Sequence, residues 1–180
     1  MIEILNANEL DRARVTGKLV GDILDTLRDR CEVGTNLLEI DRWAQEMILD
    51  AGATSCYVDY APSFGRGPFG HYICTAVNDA VLHGLPHDYR LADGDLLTLD
   101  LAVILDGIAA DSAISFVVGA GSPEDLAMIK TTERALAAAI DVARPDAKIG
   151  DISRAIQTVL SGDGFPINMQ FKLQPMTCNI

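Results

Sequence analysis

Two aspartates stand where an apolar hairpin would be expected to carry none. In LDLAVILDGIAADS, residues 99–112, Asp100 and Asp111 sit in the middle of two flanking apolar runs. Asp106-Gly107 between those runs reads as a two-residue type I′ turn, which needs φ > 0 at both central positions. That turn sets 105 opposite 108 and 102 opposite 111. Leu97, Leu99, Leu101, Val103 and Leu105 then share one face with Ile108, Ala110, Ser112, Ile114 and Phe116, suited to packing under helices. The other face carries Leu96, Thr98, Asp100, Ala102 and Ile104, opposite Ala109, Asp111, Ala113 and Ser115. Asp100 and Asp111 become diagonal neighbours, with ~7–8 Å between their backbones. A bulge near either would break this register.

Two carboxylates facing one space repel each other and lose hydration. A shared proton, a basic partner or a bound cation would each relieve this. Neither strand carries Lys or Arg, so a basic partner must come from elsewhere. Oxygen ligands on neighbouring strands suit one or two divalent ions. Spacing alone leaves a metal site and a structural hydrogen-bonding role equally open. The DGD at 93–95 reads as the turn leading into the first strand. His83, in VLHGLPHD, reads on local grounds as a loop residue, and His71 and His87 as solvated loop residues.

The elements that must position these groups are helices before and after the hairpin. Leu10, Val15, Leu19, Val20, Ile23, Leu24 and Leu27 recur at helical spacing, predicting a helix from Asn8 to Arg30. Gly34 stops it. Thr35 is the expected N-cap of a second helix over Leu37–Asp50, ending at Gly52. Residues 53–60 and 72–78 are strand candidates around the Gly/Pro-rich loop SFGRGPFG. The hairpin spans Leu96–Leu105 and Ile108–Val118. Ser122-Pro123 opens a helix to about Ala143, and a last helix starts near Asp151 and ends at Ser161-Gly162. Helices, strands and helices grouped in this way indicate an α+β fold with an antiparallel sheet.

The 180 residues, 49% apolar, suffice for one domain with a core. A net charge of −12 argues against nucleic-acid binding, which needs a basic surface. No run approaches the ~20 apolar residues of a membrane span. The first residues lack a basic region leading into an apolar one, so a secretory signal is not expected and the location read is cytoplasmic. Cys31, Cys56, Cys74 and Cys178 form no CxxC pair and read as reduced thiols, with Cys56 and Cys74 as small buried residues.

Residues 74–119, CTAVNDAVLHGLPHDYRLADGDLLTLDLAVILDGIAADSAISFVVG, resemble the core of type I methionine aminopeptidases of peptidase family M24. The resemblance rests on C-T-x-V-N-D, H-G-x-P, D-G-D and two aspartates eleven residues apart, and extends over roughly residues 5–171. Proline dipeptidases share the aspartate spacing, but H-G-x-P points away from them. The resemblance implies the pita-bread α+β fold, an antiparallel curved sheet with helices on its outer face. It implies two divalent metal ions (Co, Mn, Fe, Zn or Ni), with Asp100 on the first and Asp111 bridging both. His83 would hydrogen-bond the peptide as a catalytic and substrate-binding residue, and Cys74 and Phe69 would border the methionine pocket. The implied substrates are N-terminal peptides of nascent proteins.

Two departures from the family pattern stand out. The pocket loop reads Arg66-Gly67-Pro68-Phe69-Gly70, where many relatives have tyrosines. The family completes its site with a histidine and two glutamates in its second half, whereas no histidine follows His87 here. DGFPINMQF, 163–171, resembles the strand before the missing histidine, and KLQPMTCNI, 172–180, is an atypical tail. The sequence therefore reads as one M24 domain over 1–180, truncated with its second half incomplete. Its metals would be weakly held or absent and its activity impaired. The other reading is a non-catalytic remnant or peptide-binding module that forms a homodimer through its uncovered face.

Overall fold

The computed structural model describes residues 4–61, 63 and 67–167. Arg66 of the pocket loop, residues 168–171 of the DGFPINMQF segment, Cys178 and the 172–180 tail lie outside the described residues. Two compact units divide at Gly121 and Ser122.

The first unit opens with α1, Ala7–Arg30. Asn6 caps it by accepting the Glu9 N–H at 3.1 Å, while the Glu9 carboxylate accepts the Asn6 N–H at 2.7 Å. Its buried stripe is Thr16, Val20, Ile23, Leu24 and Leu27. Leu10 and Val15, expected on that stripe, are exposed. The second helix, α2, spans Leu37–Asp50 as the periodicity predicts. Its cap is Asn36 rather than Thr35: Asn36 and Glu39 form the reciprocal box. Thr35 is buried, and its hydroxyl accepts the Glu32 N–H at 3.1 Å.

The strand expectations at 53–60 and 72–78 shrink to β1, Thr54–Ser55, and β2, Cys74–Val77. After Cys56 the chain leaves the ladder, because Tyr60 N–H turns back onto the Tyr57 carbonyl. Phe69 and Gly70 then donate to the Tyr60 and Val58 carbonyls, closing the loop on itself. The hairpin strands are β3, Leu96–Leu105, and β4, Ile108–Val117, one residue shorter than expected at its end. Their register is the expected one, Leu105↔Ile108 and Ala102↔Asp111, unbroken along both strands. Asp106 and Gly107 take φ of 49° and 78°, as a type I′ turn requires. On the opposite edge of β3, β1 pairs at Val103–Ile104 and β2 at Leu97–Asp100, all antiparallel.

Leu97, Leu99, Leu101 and Val103 have no exposed surface. They form one core with Val20, Ile23, Leu24 and Leu27 of α1 and Leu37, Ile40, Ala44 and Ile48 of α2. Each of the leucine, isoleucine and valine side chains contributes about 1.5–3 kcal/mol on burial. The helices thus occupy one face of the sheet, and the aspartates lie on the other. The partner strand is less covered, and Ser112 on its inner face is exposed.

The second unit is a helical pair, α3 over Pro123–Val142 and α4 over Ile149–Gly162, the latter starting two residues before the expected Asp151. Ser122 caps α3 by accepting the Asp125 N–H at 3.1 Å. Thr131, Ala135 and Ala139 are its buried residues, and Thr131 donates to Asp163 Oδ2 at 2.7 Å.

Asp95 anchors the start of β3, consistent with a structural role for DGD. Burial alone would raise its pKa. Hydrogen bonds from the Ala92 N–H (2.8 Å), Asn78 Nδ2 (2.9 Å) and Tyr89 hydroxyl (2.8 Å) outweigh that and hold it below the usual carboxylate range. A depressed folded-state pKa stabilises the fold above the unfolded value and is lost as pH falls through the folded one. Asp95→Asn should therefore cost about 2 kcal/mol at neutral pH in urea unfolding. Its deficit relative to wild type should shrink below about pH 4. A deficit independent of pH would show that the charge of Asp95 contributes nothing.

Candidate functional site

The face of the sheet away from α1 and α2 gathers the groups singled out by sequence. Asp100 lies mid-β3, half-buried, and Asp111 lies on β4, exposed, two pairs further toward the turn. Lost hydration, then the negative charge of Asp100, raise the Asp111 carboxyl above its usual range, while Tyr57 and His83 act in the opposite direction. The electrostatic conflict inferred from the pattern is thus present in the fold.

Cys74 is placed by β2 directly opposite Asp100 and is 2% exposed. Burial, then the charges of Asp100 and Asp111, push its thiol pKa up to about 12, so it remains a neutral, soft apolar group at neutral pH. Phe69 reaches the site through a neighbour. Its ring packs edge-to-face on Tyr57 at 5.8 Å. Tyr57, which sequence reasoning missed, is buried and donates its hydroxyl to Asp100 Oδ1 at 2.9 Å. Burial, then Asp100 and Asp111, raise its pKa, so the phenol stays a donor. Nothing local marks Tyr57 in the sequence, since its partner is 43 residues away. On the same face Thr98 and Ser115 share a hydroxyl–hydroxyl bond of 2.8 Å.

His83 stands in the loop between β2 and β3, exposed and with φ of 54°. The next residue explains how it is held. Gly84 O accepts the Thr75 N–H at 2.8 Å, and a Cβ at Gly84 would overlap the Thr75 carbonyl oxygen. Only glycine permits this close approach of the loop to β2. The other histidines lie elsewhere. His71, expected to be solvated, is instead paired through Nδ1 with Asp41 Oδ2 at 2.8 Å. His87 is exposed, with Nδ1 2.8 Å from the Leu85 carbonyl.

The donor set suits a hard or borderline divalent ion, since two carboxylates share one space on a face with small neighbours. It supplies two of the roughly four to eight ligands such ions take. Among the described residues no third His, Cys, Asp or Glu, Cys74 included, joins them in a group able to hold a metal. No described helix is long and apolar enough to cross a membrane.

Comparison with known proteins bears on this face. The family model for metallopeptidase family M24 matches residues 11–174. A methionine aminopeptidase of Clostridium perfringens is 37% identical over 172 residues, covering 95% of this chain and 66% of that protein. Methionine aminopeptidase 1 of Mycobacterium tuberculosis is 36% identical over 155 residues, covering 85% of this chain and 56% of that protein. The crystal structure of methionine aminopeptidase from Rickettsia prowazekii superposes with a TM-score of 0.84 at 31% identity, covering 90% of this chain and 63% of that one. The prolidase from Pyrococcus furiosus superposes at 0.72 with 15% identity, covering 89% of this chain and 44% of that one, a likeness of fold alone. The chain thus spans about two thirds of the length of the relatives it matches, and its α+β architecture is the pita-bread fold of these proteins.

Gly84→Ala should lower stability by about 1–3 kcal/mol, the usual cost of forcing an extra methyl into a packed contact. It should also shift the His83 ring resonances in NMR. Unchanged stability together with unchanged His83 shifts would show that the close approach does not hold the loop.

Proposed function

The chain belongs to metallopeptidase family M24, and on that premise we propose that it is built for metal-dependent removal of the N-terminal methionine from nascent polypeptides. The observation that carries the proposal is the presence of Asp100 and Asp111 as diagonal neighbours on one sheet face, with Cys74 opposite Asp100 and Tyr57 donating to it. Proteins named methionine aminopeptidase are the chain's relatives, which supports this substrate class over proline dipeptides.

In this reading Asp100 and Asp111 would be the residues that hold the divalent ions. When bound, such ions supply a Lewis acid and lower the pKa of a water. The remaining work falls to the chain's own residues. His83, presented at the exposed loop, hydrogen-bonds the peptide and orients its scissile bond. Cys74, kept neutral by its burial, and Phe69 offer a soft apolar wall to an unbranched thioether side chain. Two carboxylates are an incomplete ligand set, so Co, Mn, Fe, Zn or Ni would be held weakly and turnover by the chain alone would be low. The same incompleteness favours a second reading, in which the face binds peptide N-termini without cleaving them.

The whole chain, 1–180, is then one domain of the family, working in the cytoplasm on nascent chains. A homodimer through uncovered apolar surface forms part of the proposal. Leu136 and Ile140 on α3 are exposed at 61% and 63%, one helical turn apart. Sedimentation velocity should then show a dimer, and a monomer at all concentrations would remove this element.

A methionyl peptide assay with added Co²⁺ or Mn²⁺ separates the two readings. Cleavage predicts methionine release above a chelator blank, reduced at least tenfold by Asp111→Asn. Peptide binding without release would establish the binding module instead.

A further inference from the structure

We propose that Tyr57 is a positioning residue of the carboxylate pair: its hydroxyl fixes the orientation of Asp100, and its ring braces that orientation against Phe69. The inference rests on the reading of Asp100 as a metal ligand. A carboxylate turns easily about its last side-chain bond, and a free one would orient away from a neighbouring carboxylate. Tyr57 prevents this by donating to one oxygen, Oδ1, at 2.9 Å. With 3% of its surface exposed, the residue offers little opening for water to compete for that bond.

The donor is itself held. The Tyr57 N–H donates to Ser55 Oγ at 3.0 Å, fixing the backbone as it leaves β1. The ring meets Phe69 edge-to-face, and Phe69 meets the His71 ring at 6.0 Å and 84°. His71 is paired with Asp41 of α2, whose other oxygen accepts the Tyr72 N–H at 2.7 Å. A continuous set of contacts therefore runs from α2 through the loop bearing Phe69 to Asp100. It joins the residue expected to border the substrate pocket to the residue expected to hold metal.

A buried tyrosine that merely satisfies its hydroxyl would contribute to stability and leave metal affinity alone. Outer partners of metal ligands behave differently, and their loss typically weakens metal binding about 10–100-fold. The test is a Mn²⁺ titration of the full chain, followed by the electron paramagnetic resonance signal of free Mn²⁺. Wild type, Tyr57→Phe, Asp100→Asn and the double variant are compared, with circular dichroism melting to confirm folding. Tyr57→Phe should raise the Mn²⁺ dissociation constant about 10–100-fold. In the Asp100→Asn background it should add nothing. An unchanged dissociation constant in Tyr57→Phe, or an equal loss with Asn at 100, overturns the positioning role while leaving the metal site standing. Absence of saturable Mn²⁺ binding to wild type overturns the metal reading and the positioning role together.

Discussion

The two-residue turn at Asp106-Gly107 fixes the register of β3 against β4, and the rest of the site depends on that register. Side chains alternate along a strand, so a slip of one residue would carry the whole of β4 to the opposite face. Asp111 would then point toward α1, into the layer now filled by Leu97, Leu99, Leu101 and Val103. An unpaired carboxylate there costs several kcal/mol, which the present register avoids. The buried leucines hold β3 from one side and the turn holds β4 from the other. Between them they leave the second face, with both aspartates, free of α1 and α2.

That face concentrates negative charge in a setting that relieves it only in part. Asp100 has one neutral donor in Tyr57, and Asp111 is raised by lost hydration and by Asp100. Structural carboxylates in the same chain are treated otherwise: Asp95 collects three donors and its pKa is lowered. The contrast separates a carboxylate whose needs are met within the fold from a pair whose needs are met only in part. Cys74 and Phe69 add an apolar border to the pair, and Gly84 brings the His83 loop down onto β2.

The parts of this arrangement that are local in sequence were legible there. The Asp-Gly turn, the period-2 alternation and the limits of α2 need no knowledge of distant residues, and the register follows from them. Contacts set by distant partners were not. TSCYVDY has strand-like composition, but the chain turns at Tyr57 and pairs residues 58–60 with 69–70, so only Thr54–Ser55 remains a strand. Tyr57 finds Asp100, and His71 finds Asp41 on α2, across 43 and 30 residues. The Asn36–Glu39 capping box was visible as N-x-x-E, but Thr35 one residue earlier is an equally ordinary cap and drew the assignment. Leu10 and Val15 fit the helical period yet lie outside the buried stripe of α1, a distinction that periodicity alone does not draw.

The chain belongs to family M24 and spans about two thirds of the length of the relatives it matches. The central claim is that Asp100 and Asp111 together coordinate a divalent ion. Anomalous diffraction at the manganese edge from crystals grown with Mn²⁺ tests it most directly. The account predicts a peak within coordination distance, about 2.2 Å, of both carboxylates. Density without such a peak, or a peak touching neither aspartate, would contradict it.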